Sequence, residues 1–181
     1  MRPRSPTMHP PPPRSIRSAT LASTLLISLV LCSSVASAAV ERDVETRNKQ
    51  IVTEAFDRWA AGGTTFFSDV LTPDVTWTIK GSGPSAGVFQ GREHFVEQAV
   101  RPFVSRLSTS IKPVSKQVWA DGDHVIINWD GAGVARDGQA YENSYAWIFH
   151  MQNGKAVEVT AFLDLVPYDD VLQRIPAPAA E

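Results

Sequence analysis

The sequence predicts an α+β domain in which three N-terminal helices pack on a curved antiparallel sheet. Two observations carry this. Apolar residues recur at helical spacing in 44–61 and 91–107, and the period falls to two from Ile111 to Val166. The second half is also cut by Asp121-Gly122, Asp137-Gly138 and Asn153-Gly154, each with turn chemistry. Helices first and a long sheet afterwards imply segregated layers, with no parallel crossover needed among the last four strands.

Residues 1–38 read as a leader. Arg2, Arg4, Arg14 and Arg17 make a basic start, Leu21 to Leu31 is apolar, and Ala36-Ser37-Ala38 offers the small-x-small pattern for signal peptidase. The apolar stretch is shorter than the ~20 residues of a membrane-spanning helix, so cleavage leaves a periplasmic or secreted protein with no membrane insertion. Cys32, the only cysteine, lies inside this leader behind Leu31, where a lipoprotein has a small residue. Cleavage after Ala38 therefore leaves no disulfide, thiol catalyst or cysteine metal site. It also leaves 13 basic residues against 19 acidic ones, a net charge of −6. Nucleic acid and anionic membranes are poor partners for such a chain.

Val44, Ile51, Val52, Ala55, Phe56, Trp59 and Ala60 form the stripe of the first helix, which Gly62-Gly63 ends. Thr64 to Leu71 is a short second helix stopped by Pro73. Val75 to Lys80 alternates as a strand, Gly81 to Gly87 turns, and Val88-Phe89 begins a return. Gly91 to Leu107 is helical again, kinked or ended by Pro102. Four strands follow at 111–120, 124–136, 139–151 and 156–166. The domain is expected over 39–168, with 169–181 as a tail marked by Pro176 and Pro178.

Tyr141, Asn143, Tyr145, Trp147 and Phe149 share one strand face, and Asn153-Gly154 turns that strand back through Val157, Val159, Ala161 and Leu163. An aromatic face holding one amide suits a pocket wall. Trp77 and Ile79 are expected to face it from the first strand, with Phe56, Trp59, Phe95 and Ala99 closing the top. Asn128 and Asp130 are assigned to the same wall. A carboxylate there would have its pKa raised by desolvation, as a general acid or base requires, with Asn128 or Tyr145 orienting it. The competing reading makes Asp130-Gly131 a turn or bulge facing water. Tyr145 and Trp147 read as core or wall sooner than as catalysts.

Several motifs are set aside. Gly83-Pro-Ser85-Ala-Gly87 matches the serine-hydrolase string but lacks its strand–turn–helix setting. His94, His124 and His150 have no ligand-pair spacing, so no metal or cofactor is expected.

The order of elements resembles the nuclear transport factor 2-like superfamily, and within it the SnoaL-like and ketosteroid-isomerase-related proteins, over about residues 44–168. The resemblance rests on Ala60-Ala61-Gly62, Pro73-Asp74-Val75-Thr76-Trp77, Gly91-Arg92-Glu93 and the final hairpin from Tyr145 to Asp164. It implies a cone-shaped fold with the pocket between helices and sheet. The isomerases' tyrosine and two aspartates fall here on Ala55, Ile79 and Trp147. The limonene-epoxide-hydrolase set falls on Asn128, Asp130 and Ala161, so one of its three residues is present. SnoaL-type cyclases, with a single aspartate, fit this pocket best.

Three functions follow as expectations. One is a cofactor-free acid/base enzyme of isomerase, cyclase or hydrolase type acting on a small apolar molecule, and the second is a non-catalytic protein binding such a ligand. The third is an interaction module using the outer sheet face. A homodimer through that face is expected, because Trp129 and Ile148 are assigned to it.

Overall fold

A computed structural model describes residues 22–177, with side chains from residue 40 onward. The expected leader lies outside the residues whose side chains are described, and its first 21 residues lie outside the described backbone too. Pro178 of the tail lies outside it as well. Two units make up the chain, Met1–Ala38 and Ala39–Glu181; the features below, including the first helix from Ala39 onward, belong to the second. Among the described residues, no helix is long and apolar enough to cross a membrane.

Helix α1 (Ala22–Ala60) buries Val52, Ala55 and Phe56, with Ile51 and Trp59 partly buried beside them. It ends as its Gly-Gly pair requires: Gly62 takes φ 104°, and the Gly63 N–H donates to the Arg58 carbonyl. A single turn, α2 (Phe66–Val70), leads into β1 (Leu71–Ile79), where Val75, Trp77 and Ile79 face inward. Pro73, which has no N–H for a ladder, sits in the irregular part of β1 between the pairs Leu71–Ala156 and Thr76–Glu158.

After β2 (Gly87–Gln90), α3 (Arg92–Phe95) runs through a π-helical turn, Val96–Val100, into α4 (Arg101–Val104). The expected disturbance at Pro102 takes this form. Its ring clashes with the preceding turn and offers no N–H, and widening that turn relieves both problems.

The remaining strands are β3 (Leu107–Asp121), β4 (His124–Ala135), β5 (Ala140–Gln152) and β6 (Lys155–Leu163). The sheet order is β2-β1-β6-β5-β4-β3; β1 and β6 run parallel, and every other pair is antiparallel. The β5–β6 loop is the expected two-residue hairpin, with Asn153 at φ 51° and Gly154 at φ 78°.

The β4–β5 loop differs from expectation, and the difference reverses a face. A two-residue Asp137-Gly138 loop would pair Asp130 with Tyr145. The loop instead has three residues: Ala135 accepts the N–H of Gly138 and donates its own to the Gln139 carbonyl, with Gly138 at φ 87°. Trp129 therefore pairs with Tyr145, and Asp130 with Ser144. A one-residue slip exchanges the faces of a strand. Val125, Ile127 and Trp129 accordingly lie in the core, and Asn128 and Asp130 on the sheet face away from the helices.

The segment expected as a tail from residue 169 begins inside a helix. Helix α5 (Leu165–Arg174) starts at Asp164, whose Oδ1 accepts the Val166 N–H at 2.9 Å. Pro167 sits in the first turn, where an N–H has no helical partner in any case. Tyr168, Val171 and Ile175 bury against Phe103, Leu107 and Tyr141 in a second cluster beside the main core.

Candidate functional site

Between the sheet's inner face and the α3–α4 segment lies a cavity of about 140 Å³. The strands supply Trp77 and Ile79, Ile111, Trp129, Tyr145 and Trp147, and Ala161 and Leu163. The helices supply Trp59, Phe67, Phe95, Ala99, Val100, Phe103, Val104 and Tyr168. No Asp, Glu, His, Lys, Arg, Ser or Cys is among these residues.

The wall is a network of rings. Trp77 stacks on Phe95 with centroids 4.1 Å apart, and Trp129 stacks on Tyr145 at 4.0 Å. Trp147 meets Trp77 and Trp129 edge-on at 5.5 and 5.0 Å. Such pairs add about 0.5–1.5 kcal/mol each beyond their buried area. Gly131 makes room for one of them. A Cβ there would lie 2.6 Å from Trp129 Cζ3, so the glycine allows close approach of the ring, at a point where the β3–β4 register also shifts.

The helical wall is held by a hydrogen bond. The Tyr168 hydroxyl donates to the Ala99 carbonyl of the π turn at 2.8 Å, and its ring stacks on Phe103 at 4.2 Å. Burial raises the Tyr168 pKa, so this hydroxyl stays protonated.

At the same end of the sheet, Asn143 Nδ2 donates to the Tyr141 hydroxyl and to the Asp164 carbonyl, both at 2.8 Å, while its Oδ1 accepts the Asp164 N–H at 3.0 Å. The Tyr141 and Tyr145 hydroxyls are 2.8 Å apart. Burial raises both tyrosine pKa values, so both remain neutral at physiological pH.

The structure thus places Trp77, Ile79, Tyr145, Trp147, Trp59, Phe95, Ala99 and Ala161 on the cavity, as their strand and helix periods predict. Phe56 is fully buried behind the wall, edge-on to Trp59 at 5.1 Å and Trp129 at 5.5 Å. Asn143 and Val159 are buried but do not line the cavity. Trp129, Phe67, Phe103, Ile111 and Tyr168 join the wall without having been expected there. For Trp129 the signal was its place in the apolar series Val125, Ile127, Trp129. For Tyr168 it was the cap at Asp164 followed by apolar Leu165, Tyr168, Val171 and Leu172.

Asp130 and Asn128 are the corrections. Asp130 lies on the outer face, accepting hydrogen bonds from Ser115 Oγ and Ser144 Oγ, both at 2.6 Å. Those bonds, Ser115 first, hold its carboxyl below the usual range, opposite to the rise expected of a pocket carboxylate. Asn128 is exposed on the same face and donates to the Tyr145 carbonyl at 2.9 Å. The β4 register is the cause in both cases.

The family model for the SnoaL-like domain matches residues 52–159. The chain belongs to the SnoaL-like family. Its fold is similar to that of Bal32a from a soil-derived mobile gene cassette, with 21% identity over 71% of this chain and 98% of that one, at a TM-score of 0.60. It is similar to a putative SnoaL-like polyketide cyclase from Jannaschia sp. CCS1 (20% identity, 74% of this chain, 96% of that one, TM-score 0.58). A phenazine biosynthesis-related protein from Pseudomonas aeruginosa is a third (17% identity, 79% and 95%, TM-score 0.60). At these identities the likeness concerns the fold alone. A comparison with curated proteins finds no match. Within the SnoaL-like domain, the sheet's inner face carries the cavity and its outer face carries the carboxylate.

Proposed function

We propose that this SnoaL-like chain is an exported protein that binds a small apolar ring compound without transforming it. The observation that carries the reading is the chemistry of the cavity wall: rings and aliphatic groups, with no side chain able to exchange a proton near neutral pH. The two lining tyrosines are pushed upward by burial, away from that range. A cofactor-free acid/base enzyme had Asp130 as its candidate catalyst, and Asp130 lies across the sheet from the cavity.

Size points to the ligand class. An apolar cavity of about 150 Å³ holds a benzene, so this one suits a single substituted ring. The names of two similar structures, a polyketide cyclase and a phenazine biosynthesis-related protein, associate the fold with ring compounds. Four tryptophans line the cavity, so titrating the purified protein with neutral monocyclic aromatics should quench or shift its fluorescence to saturation. A spectrum that changes only linearly with added compound would sink the reading.

Export rests on the leader's basic start, apolar stretch and Ala36-Ser37-Ala38; mass spectrometry should find a mature N-terminus near Ala39. The homodimer reading changes its basis. Trp129 is 2% exposed in the core, so it supplies no outer surface. Ile148 keeps its place in an outer row with Ile126 and the 47%-exposed Trp119. That row is the dimer face we propose, and light scattering at micromolar concentration should give twice the chain mass.

A further inference from the structure

The hydrogen bonds around Tyr145 fix the direction of its proton. Asn143 cannot reverse its amide, because Oδ1 takes the Asp164 N–H while Nδ2 gives its two hydrogens to the Asp164 carbonyl and the Tyr141 hydroxyl. The Tyr141 oxygen is therefore an acceptor. Its own hydrogen has one acceptor in reach, the Tyr145 oxygen at 2.8 Å. If Tyr145 donated instead, the Tyr141 hydrogen would be buried with nothing to receive it, since Tyr141 is 2% exposed and does not line the cavity. The chain of donation runs Asn143 to Tyr141 to Tyr145. The Tyr145 hydrogen is left over, on a residue that lines the cavity.

The indole N–H groups of Trp77 and Trp129 also lack a hydrogen-bond partner among the described residues, but their nitrogens are enclosed by packing and do not open on the cavity. The Tyr145 hydroxyl is thus the donor that a ligand can answer, while no cationic side chain lines the space to balance a charge. A hydrocarbon would leave that donor unanswered. An anion would enter with no countercharge.

We propose that the cavity selects an uncharged ring compound bearing a carbonyl oxygen, and that the Tyr145 hydroxyl is the residue that tells it from a hydrocarbon of the same shape. This rests on the binding reading above and names its ligand class. Burial keeps Tyr145 protonated, so the donor persists across neutral pH.

The test uses acetophenone, ethylbenzene and benzoate with the full protein and with Tyr145→Phe. Calorimetry should show Tyr145→Phe weakening acetophenone roughly tenfold, as loss of one buried hydrogen bond implies, with ethylbenzene changed less than twofold and benzoate bound by neither. In the unaltered protein, the infrared carbonyl stretch of bound acetophenone should lie below its value in hydrocarbon solvent. That measurement stands even if the variant folds poorly. Equal weakening of ketone and hydrocarbon, or a carbonyl stretch at the hydrocarbon-solvent value, overturns the proposal while leaving a cavity that binds rings. Failure of both acetophenone and ethylbenzene to bind overturns the binding reading and the proposal together.

Discussion

The two faces of β4 differ by one residue of register and by everything chemical. Inward, Val125, Ile127 and Trp129 join the ring network. Outward, Asn128 and Asp130 lie among Ser115, Gln117 and Ser144. A carboxylate on the first face would be desolvated and poised for proton transfer; on the second it is bonded by two serines and held ionised. One loop residue separates these outcomes, so the activity inferred from a strand is no safer than the length of the turn beside it.

The comparison breaks most visibly at the core. Phe56→Ala removes a fully buried ring touching Trp59, Phe66, Trp129 and Trp147, and should cost about 3–5 kcal/mol in denaturant unfolding. A loss below about 1 kcal/mol would mean the inner face is not the close-packed one. Gly138→Val comes next. It places a branched side chain at φ 87° in the register-setting loop and should cost about 1–2 kcal/mol. Unchanged stability would argue for a different loop, and with it a different register.

The smallest effect belongs to Asp130→Asn. The folded carboxyl sits below its unfolded value of about 4. Its contribution is therefore present above that pH and is lost as pH falls through the folded pKa. The variant should unfold at a slightly lower urea concentration than the parent at pH 7 and at the same concentration near pH 2. A gap that widens in acid would contradict the outer-face hydrogen bonds.

Where period and turn length agree, the sequence is transparent. The alternation from Tyr141 to Met151 and the two-residue loop at Asn153-Gly154 place β5 and its turn correctly. An irregularity next to His150 and Met151 shifts β6 by one residue, so that Ala156 and not Val157 is buried before Val159 and Ala161. The β4 face was less legible, because Asp137-Gly138 suits a two-residue loop and also the end of a three-residue one. Apolar weight on β4 lies at the odd positions and its one carboxylate at an even one, and packing follows the first. Helix α5 was hidden by Pro167, which ends a strand but is equally at home in a helix's first turn, and by Val166, which is 78% exposed and blurs the amphipathic stripe. The orphan indole donors leave no trace in sequence, since they depend on what packs around each ring.

The face of the sheet that meets the ligand decides the function. Acetophenone titration of the parent, Ala99→Leu and Asp130→Asn decides it most directly. Ala99 lines the cavity from the π turn, so a larger side chain there should fill the space and weaken binding at least tenfold, while Asp130→Asn should bind as the parent does. Binding lost in Asp130→Asn and kept in Ala99→Leu would contradict the account and return the function to the outer face.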